Sequence, residues 1–401
     1  MLPASTLWKD SWLRARSAFV SYDFQVFARA GLTPAAVGEL AREQGFAWEL
    51  SGETWEASRP ESNVQFGGDV PVPMEQEDLP KGLAELLREP RWFMVVVVEG
   101  SGAASIRAAT RFVRELARRT GAAVYDQQLG RVLVDGKVKR PARVESEPEW
   151  KVEMSWYAVV PEHDARPSLP DEWLALAGRY LPEAAPVRFG HFEPLRFRLA
   201  RDGMESLRAL WSKEDPDDLE LRYVDFDSVP PILGGGWSWS LPWHAPRPVI
   251  ERISADVEID AFADPYWANA AQEWFVAVAE ARKCFHAVVQ VARPGFHPRT
   301  LIPRHRWYGL LPRPQWWTWY GNPYVALVEE RSPKGAYRRT GDGVFVGSQL
   351  SPRGFAEMGQ VPDPLGDLRA ALVEPEVPLS HNPNLVPAAV IPHELLPVAS
   401  P

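Results

Sequence analysis

Apolar and polar positions along the chain group into strand–helix–strand sets separated by turn-forming residues. Residues 17–26 (SAFVSYDFQV) alternate as a strand does. Thr33 then offers a helix N-cap, Pro34 suits the first helical position, and Gly45 closes a helix that contains Glu39, Leu40 and Ala41. Residues 63–72 read as extended. The clearest set follows: a strand over 92–98, a Gly-Ser-Gly turn, a helix over 103–119, and a strand through Val124. In that helix Ile106, Phe112, Val113 and Leu116 recur on one face, and Arg107, Arg111, Arg114 and Arg118 fall on the other.

Residues 130–150 are polar and turn-rich, which places a domain boundary there. A second set starts with a strand over 151–160 and a helix beginning near Pro170. Ser168 is its expected cap, and Asp171 stands three residues on, at capping-box spacing. The acidic stretch 214–227 leads into a turn-like segment with Gly234, Gly235, Gly236, Trp237 and Trp239. The third set has a strand over 250–259, a helix over 265–281 with Trp267, Ala271, Trp274 and Val278 on its apolar face, and a strand over 285–291. Residues 341–349 read as a late hairpin strand. Prolines recur without periodicity beyond 361, as in an extended tail.

These patterns predict an α+β protein with two or more split βαβ (ferredoxin-like) units, helices lying on one face of small mixed sheets. The expected domains are 1–147, 148–360 carrying a Trp-rich segment, and the Pro-rich tail 361–401.

That Trp-rich segment, residues 304–330, concentrates Trp307, Tyr308, Trp316, Trp317, Trp319, Tyr320 and Tyr324 with Arg304, Arg306 and Arg313 between them. It reads either as a core plug or as a rigid contact surface, because Trp, Tyr and Arg dominate both large buried areas and interface anchors. Composition narrows the class. The 401 residues are 45% hydrophobic and 24% charged, as in ordinary globular domains. The 18 Trp and 39 Pro stand out, proline at about twice its usual share. A formal charge of −9 disfavours non-specific nucleic-acid binding. The single Cys284 excludes an intrachain disulfide and a Cys-based zinc site. No secretory leader or membrane-spanning run is legible, so the expectation is a cytoplasmic bacterial protein that engages neither membrane nor nucleic acid.

Two constellations suggest chemistry. Residues 95–105 (VVVVEGSGAAS) bring a buried strand into a Gly-x-Gly turn at a helix N-terminus, and Asp126 ends the next strand. A nucleotide enzyme would place phosphate on Gly100–Gly102 and ribose on Asp126. Against this, Ser105 occupies the third glycine position and Glu99 puts a negative charge beside the turn. The bland alternative is a tight turn that needs glycine for its backbone. Of the histidines, His163, His191, His244, His286, His297, His305, His381 and His393, no pair shows ligand spacing, so neither metal nor cofactor is expected. The acidic run, with Asp215, Asp217, Asp218, Asp225 and Asp227, is either a solvated loop or a steering patch for a basic protein.

Residues 112–128 (FVRELARRTGAAVYDQQ) and 307–330 (WYGLLPRPQWWTWYGNPYVALVEE) resemble patterns in poorly characterised bacterial proteins, among them immunity proteins encoded beside type VI or polymorphic toxins. The resemblance implies a non-enzymatic protein that neutralises a cognate toxin by direct binding. The expected partner-binding residues are Arg304, Arg306, Trp307, Arg313, Trp316, Trp317 and Trp319, with Asp215, Asp217, Asp218, Asp225 and Asp227 steering. A nucleotide-dependent enzyme built on Gly100–Gly102 and a structural or assembly protein stand as alternatives.

Overall fold

The computed structural model describes residues 22–79, 83–84, 86–87, 89–98, 102–126, 128–140, 150–160, 168–191, 194–212, 221–240, 249–292, 314–322 and 324–358. The chain divides into two units, Met1–Glu145 and Ser146–Pro401. The proposed tail, 361–401, lies outside the described residues.

In the first unit, strand β1 (Tyr22–Ala28) leads to helix α1 (Pro34–Glu43). Thr33 caps α1 as expected, its hydroxyl accepting from the Ala36 amide at 3.2 Å. Strands β2 (Ala47–Ser51), β3 (Thr54–Arg59), β4 (Val64–Asp69), the short β5 (Val72–Pro73) and β6 (Trp92–Val98) follow. Helix α2 (Ala103–Thr120) then crosses to β7 (Ala123–Asp126), β8 (Arg131–Val134) and β9 (Lys137–Lys139). The sheet order is β2-β3-β4-β6-β1-β7-β8-β9, with β5 beside β6, and every pairing is antiparallel. Strands β6 and β7 flank β1, so the crossover through α2 is a split βαβ.

The second unit begins with β10 (Lys151–Val160) and α3 (Leu169–Tyr180), continues through β11 (Arg188–Gly190), β12 (Phe197–Arg198), α4 (Leu199–Ser212), β13 (Leu221–Asp227), β14 (Ile232–Ser240) and β15 (Val249–Glu258), and crosses by α5 (Pro265–Ala281) to β16 (His286–Ala292). Strand β17 (Trp317–Tyr320), α6 (Tyr324–Arg331), the hairpin β18 (Arg338–Thr340) and β19 (Gly343–Gly347), and α7 (Pro352–Glu357) complete it. The order is β12-β11-β13-β14-β15-β10-β16-β17-β19-β18, again wholly antiparallel. Here β10 separates β15 from β16, a second split βαβ.

The α+β expectation and its split βαβ units hold, but the sheets are large and contain no adjacent parallel strands. The two units follow one route. Each starts in a middle strand, passes through a helix toward one edge, returns strand by strand, and crosses by a long helix to the other half. The second unit adds β12 and α4 on the way in and reaches its far edge strand β18 before β19. Thus β3-β4-β6-β1-β7-β8-β9 corresponds to β13-β14-β15-β10-β16-β17-β19, and α2 corresponds to α5.

Two stretches read as irregular are strands. The glycines of 234–236 lie in β14, where the sheet leaves no room for a side chain: a Cβ on Gly235 would stand 2.2 Å from the Ser254 carbonyl oxygen. A register shift between Ile232 and Gly234 accommodates the crowding. Residues 221–227 of the acidic stretch form β13, because Val224 and Phe226 alternate into the core while Asp225 and Asp227 face away. The hairpin β2–β3 gave no signal strong enough to predict it.

In each unit the helices cover one sheet face. Phe24, Val26, Met94 and Val96 pack against Leu40, Phe112, Val113 and Leu116 in the first. In the second, Val152 and Met154 of β10 belong to the same core as a triad of indoles at edge-to-face geometry, one of them Trp156 of β10 itself. Trp156, Trp173 and Trp274 have centroid separations of 4.9–6.0 Å, each such pair adding about 0.5–1.5 kcal/mol beyond burial. Their polar edges are partly satisfied by backbone: Trp156 Nε1 donates to Phe275 O and Trp173 Nε1 to Ala184 O, both at 2.9 Å. One helix departs from the expected single-face layout. Helix α6 lies on the opposite face of the second sheet, where Tyr324, Val325 and Val328 pack on Tyr157, Val288, Tyr320, Val344 and Val346.

Candidate functional site

Alternation in the second sheet fixes what its far face presents. With Val152, Met154, Trp156 and Ala158 directed to the helices, β10 turns Glu153, Ser155 and Tyr157 the other way. Strand β15 likewise sends Ile253, Ala255 and Val257 inward and Arg252, Ser254 and Asp256 outward. Trp237 of β14 and Val224 and Phe226 of β13 are core, so Gly236, Ser238, Tyr223, Asp225 and Asp227 share the far face. Toward β17 and β19 that face is covered by α6; toward β13 it is polar.

The polar part is held in place by its own pairs. Arg252 donates to Glu153 Oε1 at 3.0 Å, Ser155 donates to the same oxygen at 3.3 Å, and Lys151 pairs with Asp256. Ser254 donates to the Gly236 carbonyl at 3.3 Å. Asp225 stands across from Gly236 and is exposed. A Cβ on Gly236 would come within 2.7 Å of Asp225 Oδ1, so the bare glycine lets the carboxylate lie against β14. His191 meets the Tyr223 carbonyl through Nδ1 at 2.7 Å. At the border with the apolar half, burial pushes the Tyr157 phenol up, and the charge of Arg252 partly counters this. The result is a strand-built polar face of mixed charge on which Ser155 is buried, Glu153, Arg252 and Asp256 are partly buried and Asp225 is exposed.

The sequence-derived candidates fare unevenly. Trp316, Trp317 and Trp319 are 4%, 3% and 2% exposed, and are therefore core side chains instead of surface anchors. Trp317 and Trp319 sit on the helix-facing side of β17; Trp316 stacks on Trp317 at 4.2 Å and donates to Leu350 O at 2.9 Å. Burial wins because the sheet continues past β16 and needs large rings against Phe262 and Phe275. Asp225 and Asp227 lie on the polar face described above. Arg304, Arg306, Trp307, Arg313, Asp215, Asp217 and Asp218 lie outside the described residues. The polar face also contains Glu153, Ser155, Arg252, Ser254 and Tyr223, which sequence reading passed over. Their signal was the period-2 alternation in KVEMSWYAVV, VIERISADVE and LRYVDFD, uninterpretable until the place of these strands in the sheet is known.

The Gly-x-Gly turn does not open a dinucleotide-binding unit. Such units place the two strands flanking the helix side by side and parallel, whereas β1 separates β6 from β7. Asp126 is 6% exposed and engaged locally: it accepts from Tyr22 Oη at 3.0 and 2.9 Å and from the Leu129 amide at 3.0 Å, closing the β7–β8 connection. Ser105 accepts from the Gln65 amide at 3.2 Å, tying α2 to β4. Glu99, Gly100 and Ser101 lie outside the described residues.

Among the described residues no group of three or more His, Cys, Asp or Glu is placed to hold a metal ion, and no helix is long and apolar enough to cross a membrane. Cys284 is buried at 3% exposure, and His286 is buried between the rings of Tyr157, Tyr320 and Tyr324. The other histidines apart from His191 lie outside the described residues.

No protein-family model and no curated protein matches the chain. Among solved structures it is similar to a T6SS protein of Pseudomonas aeruginosa, at 11% identity and a TM-score of 0.29 over 49% of this chain and 68% of that one. It is also similar to the di-domain ARO/CYC StfQ from the steffimycin biosynthetic pathway, at 11% identity and a TM-score of 0.19 over 66% of this chain and 94% of that one. Likenesses this slight carry no argument about function.

Proposed function

We propose that this chain is a non-enzymatic binding protein of the immunity type, which neutralises a cognate secreted toxin by direct contact. The observation that carries this reading is the far face of the second sheet, where Asp225 is exposed beside the bare backbone of Gly236 and the braced pair Arg252–Glu153. A broad face of strands with fixed polar groups loses little entropy on docking, and its carboxylates steer a basic partner toward it. The nucleotide reading has lost its topological basis.

The test starts from the product of a toxin gene adjacent to this one, co-expressed with this chain and then purified with it. The expected result is that the chain abolishes toxicity and binds the toxin, and that Asp225→Lys slows association more than it speeds dissociation. A toxin that remains active and unbound in the presence of the folded chain would overturn the proposal. Unchanged rates for Asp225→Lys and Ser254→Trp with binding intact would move the contact to another surface.

A further inference from the structure

Helix α2 carries a feature that the fold does not require. Its 18 residues include Arg107, Arg111, Arg114, Arg118 and Arg119, no lysine, and a single acid, Glu115. The face opposite Phe112, Val113 and Leu116 is exposed. Only the last turn is neutralised: Glu115 accepts from Arg118 Nη2 at 2.5 Å and Arg119 Nε at 2.9 Å, and Arg119 reaches Glu43 of α1 at 2.5 Å. Among the described residues Arg107, Arg111 and Arg114 make no ion pair. Like charges three and four residues apart on a helix repel, so an exposed face chosen for stability alone would interleave acids. The topologically equivalent α5 contains no arginine or lysine at all.

We infer that the Arg107–Arg111–Arg114–Arg118 stripe is a docking surface for a protein helix bearing Asp and Glu at the same three- and four-residue spacing. The stripe runs about 16 Å, three turns of helix, which matches a short helix face. Arginine forks take carboxylates in bidentate geometry, and among the described residues three of these four have no carboxylate of their own. A polyanion such as DNA would extend beyond the stripe and meet the field of a chain with formal charge −9, whereas a short acidic helix need sense only the local patch. This surface belongs to the first unit and the inference stands or falls independently of the sheet face of the second.

The full-length chain should be titrated by fluorescence anisotropy with a labelled helical peptide whose glutamates follow the i, i+4, i+7, i+11 pattern. A peptide of the same composition with scrambled spacing, a 16-bp DNA duplex and vesicles one-third phosphatidylserine serve as competitors. The patterned peptide should bind about tenfold tighter than the scrambled one, and should weaken tenfold or more in the triple variant Arg107→Gln/Arg111→Gln/Arg114→Gln. Arg→Lys at the same positions should restore part of the loss. The exposed substitutions should not lower the thermal melt and, by relieving repulsion, can raise it slightly, which separates lost binding from lost folding. Equal binding of the scrambled peptide, tighter binding of the duplex or vesicles, or affinity unmoved by the triple variant would each overturn the inference.

Discussion

Arg282 and Glu251 form a bidentate ion pair inside the second unit: Nε and Nη2 of the guanidinium donate to the two carboxylate oxygens at 2.8 and 2.6 Å. The residues are 1% and 2% exposed. The guanidinium also donates through Nη1 to Glu172 at 2.6 Å, joining the end of α5, strand β15 and the start of α3. Buried charges of this kind are tolerated because each satisfies the other, and removal of one partner leaves the other stranded. Glu251→Ala or Arg282→Ala should therefore cost about 3–5 kcal/mol in urea unfolding, whereas the double replacement Arg282→Met/Glu251→Leu should cost much less. Equal penalties for single and double variants would show that no stranded-charge cost attaches to losing one partner.

Phe112 and Trp274 occupy corresponding helices in the two units and are both fully buried. Truncation of either to alanine should cost about 3–5 kcal/mol. Guanidinium melts of each variant check this, and a loss under 1 kcal/mol at both sites would contradict the core assignments.

Electrostatic pairs give two opposite pH signatures. Hydrogen bonds from Arg118 and Arg119 lower the Glu115 carboxyl to about 2. Its folded pKa is depressed, so its contribution is present above the ordinary carboxylate range and is lost as pH falls through about 2. Carbon-detected NMR titration should show this resonance moving near pH 2, and shifting upward in Arg118→Gln. Glu56 behaves the other way: burial and then the charge of Glu49, directly across β2–β3, raise its pKa. Ionised Glu56 is thus unfavourable at neutral pH, and Glu56→Gln should stabilise by about 0.2–1 kcal/mol at pH 7. That gain should shrink as pH falls through the raised pKa, where Glu56 becomes neutral in the folded state.

Gly235 is a tight point of β14 on the helix-facing side of the second sheet, where a Cβ would stand 2.2 Å from Ser254 O and 2.8 Å from the Phe226 ring. Gly235→Ala should cost about 1–3 kcal/mol through forced backbone displacement. A neutral result by thermal unfolding would mean that β14 can slide past β15 without penalty.

The split βαβ topology predicts that NAD, NADP, ATP and GTP leave the melting temperature unchanged. A ligand at 100 times its dissociation constant would stabilise by about 2.7 kcal/mol, well within reach of the assay. A shift abolished by Gly102→Val would restore the nucleotide reading.

Local chemistry alone was enough for helices α1, α2, α3 and α5 and for the central strands, whereas α4, α6 and α7 went unpredicted. Thr33 and Pro34 start α1, the spacing of Phe112, Val113 and Leu116 gives α2 its buried face, and the runs 92–98 and 151–160 coincide with β6 and β10. These features depend on residues a few positions apart, so a linear reading reaches them. Strand order does not. That β1 separates β6 from β7, and β10 separates β15 from β16, depends on pairings across long chain separations. The shared route of the two units appears only in that order. The same limit governed the Trp-rich stretch and the glycines of 234–236. Trp316, Trp317 and Trp319 suit a core or an interface equally well by composition, and three glycines suit a turn. A neighbouring strand settled both, β16 beside β17 and β15 beside β14, because burial and crowding are properties of what lies alongside a residue and not of the residue itself.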